Sequence, residues 1–394
     1  MKRLRIRILS MLACAALLLT TLSHLPVSAC SSVELESKEG DVFWFRTCDM
    51  DDGYNVFGEN GSMIQPSYLV SYPKGVKIPF TLGAVIPKHS VIGMSFSDSL
   101  AMLDGINDAG LICGLQNFEE GTQIPLNQIP PEGKKLAAME AVTWFLAQCA
   151  DVEQVRALAK KTYLNAAYVK GVPGSDYEAW LHLFFTDAEG NCIVLEASNP
   201  EKPGQFEIYE SNGVMTNSPT YPELLENLSQ YTANSPELRN QKITDFSMKD
   251  VDTYGKKTED MVFPASMSSP DRFVRLSVMR YLTDAGKHIS SKDMLVQGSL
   301  ILNSVYALRD NGKGTYYYRN IDENGKVINA HESYTQYTVC YDSTRRTVAI
   351  RPYDSSIWTS LSIENISSEK RETYQIHHGA EGSTVEAQCS EKKA

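Results

Sequence analysis

The sequence predicts an α+β protein, because segments that alternate apolar and polar residues come in runs, amphipathic segments come in runs of their own, and the two kinds do not strictly alternate. The early strands are read at Ser32 to Leu35, Val42 to Arg46, Tyr68 to Tyr72 and Leu111 to Leu115, with turns at Lys38-Glu39-Gly40-Asp41 and Asn107-Asp108-Ala109-Gly110. Two helices follow on apolar positions at helical spacing, Lys134 to Cys149 and Val152 to Lys161, the second entered through Asp151 as N-cap. Strands return at Leu181 to Thr186, Cys192 to Glu196 and Gln205 to Glu210, with a turn at Asp187-Ala188-Glu189-Gly190 between the first two. Asp271 to Leu282 and Ser291 to Tyr306 read as helices, and Tyr316 to Tyr318, Gln336 to Tyr341 and Thr347 to Arg351 as closing strands.

The first 29 residues have their own logic. Lys2, Arg3, Arg5 and Arg7 precede the apolar run Ile8 to Leu19, then come Pro26 and the small-residue end Val27-Ser28-Ala29. This is the pattern of a secretory signal that is removed, and its apolar run falls short of the ~20 residues a membrane span requires. The expected organisation is a signal peptide over 1–29, one domain over 30–365 without linker or repeat, and a polar, flexible tail over 366–394. The processed chain would be secreted, periplasmic or on the cell surface of a bacterium, with no stable membrane span.

Four basic residues and no acidic ones leave with the signal, taking the formal charge from −11 to −15. Such a surface repels nucleic acid and anionic membranes. Of eight cysteines, Cys14 leaves with the signal, and the seven that remain are an odd number, so at least one thiol is unpaired. The sequence contains no G-x-S-x-G, Walker loop or H-E-x-x-H, Asn311-Gly312-Lys313-Gly314 reads as a turn, and His377-His378 reads as solvated, so neither cofactor nor metal is expected.

The signal ends where Cys30 begins. Val27-Ser28-Ala29-Cys30 fits a peptidase site that frees Cys30 as the new N-terminus, and it also resembles a lipobox in which Cys30 would be lipidated. A lipoprotein continues as a polar tether, whereas Cys30 runs at once into a strand, a tight turn and a second strand ending Phe45-Arg46-Thr47-Cys48-Asp49. If Glu39 and Gly40 are the two turn residues, paired positions sum to 79 and Asp49 lies opposite Cys30. In that register Arg46 faces the other side, and a bulge or strong twist is needed to bring it to the thiol.

Chemically, a cysteine thiol and an α-amine have ordinary pKa values of about 8.5 and about 8, so one residue can supply both nucleophile and base. A guanidinium favours the thiolate, and a carboxylate orients the ammonium. Read alone, Thr216-Asn217-Ser218-Pro219 is a turn with the asparagine bonded locally, and Arg272 a solvated arginine at a helix start.

Taken together, the Cys30 start, Arg46 to Asp49, Gly105 to Leu111 (GINDAGL), Thr216 to Pro219 (TNSP) and Ser268 to Arg275 (SSPDRFVR) resemble, in order, the choloylglycine hydrolase family of bile salt hydrolases and penicillin V acylases within the N-terminal-nucleophile superfamily. The resemblance implies a four-layer αββα sandwich and hydrolysis of a linear amide C-N bond in a small-molecule acyl amide. It implies nucleophile and base at Cys30, charged partners at Arg46 and Asp49, a polar pocket residue at Asn117, an oxyanion donor at Asn217 and a second arginine at Arg272. Asn117, ten residues after Asn107, falls where the family's bile salt hydrolases carry asparagine and its penicillin V acylases tyrosine. That favours glycine- or taurine-conjugated bile salts, with penicillin V or acyl-homoserine lactones as alternatives. The family's common assembly is a homotetramer. The rival of another class is a non-catalytic lipoprotein anchored through Cys30.

Overall fold

The computed structural model describes residues 30–51, 68–95, 99–170, 181–231, 264–283, 288–309, 317–321, 327–353, 355–375 and 388–389, so the expected signal over 1–29 lies outside the described residues. The α+β class holds, as two antiparallel sheets face to face with helices on both outer sides. The first sheet is built from β1 (Ser31–Glu36), β2 (Val42–Asp51), β12 (Val214–Met215), β13 (Tyr317–Ile321), β14 (Val327–Asp342), β15 (Thr347–Pro352) and β16 (Thr359–Ser362). Its order is β12-β1-β2-β14-β15-β16, with β13 also on β14.

The second sheet contains β3 (Tyr68–Tyr72), β4 (Val91–Ser95), β5 (Met102–Asn107), β6 (Ile112–Asn117), β9 (Leu181–Thr186), β10 (Cys192–Glu196), β11 (Glu207–Glu210), β17 (Glu372–Gln375) and β18 (Gln388–Cys389). Its order is β11-β10-β9-β6-β5-β4-β3-β17-β18. Strands β7 (Lys134–Ala137) and β8 (Thr162–Asn165) pair in parallel apart from both. Helices α1 (Ala141–Leu146) and α2 (Val152–Ala159) cover the second sheet; α4 (Ser269–Thr283) and α5 (Met294–Leu302) cover the first, and α3 (Tyr221–Tyr231) packs on α4. Among the described residues no helix is long and apolar enough to cross a membrane.

Strand alternation distributes aromatic rings between the layers. Trp44 of β2 points between the sheets and stacks on Phe184 of β9, ring centroids 6.0 Å apart, while Phe45 turns outward onto Gly298 of α5. Phe185 turns the other way onto Phe145 of α1, centroids 5.4 Å apart and nearly perpendicular. Each such pair contributes about 0.5–1.5 kcal/mol beyond its buried area.

Three sequence-based expectations are corrected. Lys134 to Cys149 is not one helix: the main chain of Lys134–Ala137 pairs with β8, a short 3-10 turn intervenes, and the α-helix spans only Ala141–Leu146. A parallel partner from 28 residues downstream outweighs the helical spacing there. Within the stretch expected as a loose tail, Glu372–Gln375 extends the second sheet beside β3. Finally, the β1-β2 pairs sum to 78, not 79, with Ser31 opposite Thr47 and Glu36 opposite Val42.

The cause of this slip is a three-residue loop. Ser37 N donates to Asp41 O at 2.8 Å, and Gly40 takes the left-handed φ of +87° that closes such a loop with a bulge. A one-residue slip moves side chains to the other face. Cys30, Ser32, Cys48 and Arg46 consequently share the face that looks into the sandwich, so the bulge at the Gly40 loop is what brings Arg46 to the side of the thiol. A separate bulge lies in β14, between Thr335, opposite Asp49, and Tyr337, opposite Cys48.

The two sheets approach closely at Gly114 of β6, where a Cβ would fall 2.2 Å from Trp44 Cη2. Gly114→Ala should lower unfolding stability by about 1–3 kcal/mol, read from chemical denaturation, because the ring has no room to retreat.

Candidate active site

Arg46 is buried between the sheets and is held by groups from the opposite one. Its Nη1 donates to Leu103 O and Asp104 Oδ2, each at 2.6 Å, and its Nη2 donates to Leu115 O at 2.5 Å and to Cys30 Sγ at 3.3 Å. Burial works against its charge, but Cys30, Cys48, Asp104 and Tyr337 outweigh that and hold the guanidinium protonated more firmly than usual. Asp104 in turn accepts from Tyr337 Oη at 2.7 Å and Tyr341 Oη at 2.6 Å. Burial nevertheless raises its carboxyl above the ordinary range, against the pull of Arg46 and the two phenols.

Cys30 immediately precedes β1 and is only 2% exposed, its Sγ 3.9 Å from Asp49 O. By the register its cross-strand neighbour is Cys48, whose thiol is pushed well up by burial and by its hydrogen bond to Cys30. Asp49, one residue further, does not lie opposite Cys30 as expected, yet the two interact electrostatically. Its Oδ1 accepts from Thr335 Oγ1 at 2.5 Å, and Thr335 Oγ1 also accepts from Ala307 N at 2.9 Å. Burial first, and Cys30 second, push the Asp49 carboxyl up to about 8.

From the helical side, the Arg272 side chain of α4 reaches the same residue. Nη1 donates to Cys30 O at 2.7 Å and to Ser31 Oγ, Nη2 donates to Asn217 Oδ1 at 2.9 Å, and Nε donates to Met267 O at 3.0 Å. Because a guanidinium only donates, it fixes Oδ1 of Asn217 towards itself and so turns the amide nitrogen the other way. Nδ2 donates one hydrogen to Asn117 O at 3.0 Å, which leaves its second N–H for another acceptor. Asn217 therefore does not bond within its own turn; its partners are 55 and 100 residues away.

All six residues singled out in the sequence converge here: Cys30, Arg46, Asp49, Asn117, Asn217 and Arg272. Asn117 does so through its main-chain carbonyl, and its neighbour Gln116 faces the first sheet with Nε2 2.8 Å from Ser32 Oγ. Sequence reasoning missed Asp104, Thr335, Tyr337, Tyr341 and Cys48. Asp104 carried a legible signal, a lone carboxylate inside the apolar strand Met102-Leu103-Asp104-Gly105-Ile106, which demands a buried partner. Among the described residues no cluster of His, Cys, Asp or Glu could hold a metal.

The sequence matches the family described as linear amide C-N hydrolases, choloylglycine hydrolase family, over residues 30–374. It is 25% identical over 358 residues to a bile salt hydrolase/transferase of Clostridium perfringens, covering 88% of this chain and 97% of that one. It is 28% identical over 327 residues to a conjugated bile acid hydrolase of Lactobacillus acidophilus, covering 81% and 90%. The fold superposes on a crystal structure of a conjugated bile acid hydrolase variant from Clostridium perfringens with TM-score 0.65, at 21% identity and covering 91% and 100% of the two chains. For a penicillin V acylase from Agrobacterium tumefaciens the TM-score is 0.61, at 19% identity and 87% and 90% coverage.

Removing one partner of a buried ion pair strands the other, so Asp104→Ala should destabilise the fold by about 3–5 kcal/mol in urea titration. Asp49 makes stability depend on pH. In the folded full-length chain it keeps its proton up to about 8, whereas an unfolded aspartate releases it at about 4. Between these values the unfolded state binds fewer protons, so this carboxyl lowers stability as the pH rises through the window. Asp49→Asn should gain stability relative to the parent between about pH 5 and about pH 8, read as a widening gap in urea midpoints.

Proposed function

The chain belongs to the choloylglycine hydrolase family of linear amide C-N hydrolases, and from that premise we propose that it is an exported N-terminal-nucleophile enzyme in which Cys30, freed by loss of residues 1–29, attacks the amide of conjugated bile salts. The observation that carries the reading is the convergence of Arg46 on the Cys30 thiol, of Arg272 on its carbonyl, and of Asn217 between Arg272 and Asn117.

In the proposed cycle the Cys30 α-amine takes the thiol proton and the thiolate attacks the substrate carbonyl carbon. Charge that develops on the carbonyl oxygen is met by the remaining N–H of Asn217, whose orientation Arg272 and Asn117 have already fixed; such a donor is typically worth ~3 kcal/mol. Collapse breaks the C-N bond, the α-ammonium returns its proton to the leaving amine, and an acyl-thioester remains. Water, losing a proton to the α-amine, attacks the thioester and releases the acid with the thiol restored. The ammonium form of that amine beside Asp49 favours its carboxylate, offsetting the burial that otherwise keeps the group protonated.

Two observations support a free Cys30 over a lipid anchor. The family match begins at residue 30. The thiol is also enclosed beside Arg46 and Asp49, a space a diacylglyceryl thioether would have to vacate. Glycine or taurine conjugates are favoured as substrates by the relatives' activities and by Asn117.

Mass spectrometry of the exported protein should give a chain starting at Cys30 with no added mass. Cys30→Ser should fold with activity reduced to background, and Asn217→Ala should lose about 10²–10³-fold in kcat. In a panel of glycocholate, taurocholate, penicillin V and acyl-homoserine lactones, release of glycine and taurine is the expected result. Intact conjugates alongside cleaved penicillin V would reassign the substrate.

A further inference from the structure

Behind the candidate site lies a second buried polar group that the proposed cycle does not use. Gln116, His182 and Glu196 occupy one row across β6, β9 and β10, and directly paired residues point to the same side of a sheet. The row faces the first sheet, and both His182 and Glu196 are fully buried. His182 Nε2 lies 2.8 Å from Thr216 O and Nδ1 lies 3.1 Å from Glu196 Oε1, while Glu196 accepts from Tyr221 N at 2.9 and 3.1 Å.

The proton positions follow from the partners. A carbonyl oxygen only accepts, so Nε2 carries a hydrogen and donates to Thr216. One further proton then joins Nδ1 to Glu196, and the pair is neutral overall whichever of the two holds it. This lets a fully buried acid and base persist without an uncompensated charge.

Thr216 immediately precedes Asn217. The ring that holds its carbonyl is also covered by Phe118, centroids 4.7 Å apart and 11° from parallel. Phe118 immediately follows Asn117, whose carbonyl holds Asn217 Nδ2. His182 thus braces both chain segments between which the Asn217 amide is suspended. We infer that His182, oriented by Glu196, is a positioning residue that sets the Asn217 amide at the place where the carbonyl oxygen develops charge. This rests on the oxyanion role proposed above for Asn217.

The test compares His182→Leu, Glu196→Ala and Glu196→Gln in the processed enzyme, measuring kcat and KM on the amide cleaved by the parent. Alongside it, the rate at which iodoacetamide alkylates Cys30 is measured, a displacement that builds no oxyanion. Because a misplacement near 1 Å can cost about 10²-fold, Glu196→Ala and His182→Leu should lose about 10- to 100-fold in kcat with KM and alkylation changed less than about threefold. Glu196→Gln retains the arrangement, its amide donating to Nδ1 and its oxygen accepting from Tyr221 N, and should stay within about threefold of the parent in kcat. Parent-like kcat in Glu196→Ala, equal loss of hydrolysis and alkylation, or a Glu196→Gln as impaired as Glu196→Ala overturns the inference alone. A parent that cleaves none of the amides overturns the functional reading and this inference with it.

Discussion

The candidate site is built on a cation buried between the sheets. Arg46 sits between two sheets, where an isolated charge would be intolerable, and is made tolerable by carbonyls and a carboxylate from the sheet it faces. A further Nη2 donor goes to the Cys30 thiol of its own sheet. The same side chain is therefore a rivet between layers and an electrostatic partner for sulfur. Whatever changes the spacing of the sheets changes the surroundings of that sulfur, which is why glycine under Trp44 and the Tyr337-Asp104-Tyr341 bracket belong to the site.

The second arginine works from outside the sandwich. Arg272 enters from α4 and bonds Cys30, Ser31, Asn217 and Met267, while Ser269 of the same helix holds the Asn217 main chain at both N and O. Arg46 addresses the thiol and Arg272 addresses the carbonyl of the same residue. Cys30 is thereby held at both ends of its short side-chain and main-chain unit, and an amide entering the site would meet a sulfur with little freedom left to lose.

What the sequence disclosed and what it withheld follow from the range of the interactions. The hairpin, the Asn107 turn and the Asp151 cap are local, and they could be read directly. The β1-β2 register failed by one residue because loop length there depends on whether Gly40 adopts the left-handed conformation, a choice that two- and three-residue loops both permit. β14 defeated simple parity: Thr335 and Tyr337 are two apart yet face opposite layers, since the bulge inserts Gln336 between them. Strand β7 looked helical because its parallel partner lies beyond the helices α1 and α2. The site residues came through as an ordered set, but their supports did not. Asp104, Thr335 and the His182-Glu196 pair act over contacts that no spacing rule encodes.

The burial of Cys30 also imposes an order of events. A protease accepts its peptide as an extended strand, with several residues on either side of the bond laid out in a groove. Residue 30 is enclosed, its carbonyl is held by Arg272, and the chain beyond it is already zipped to β2. An external peptidase could not engage the bond between residues 29 and 30 in that state without first peeling β1 from its neighbours. If the chain is processed there as proposed, the cut has to come before β1 closes onto β2.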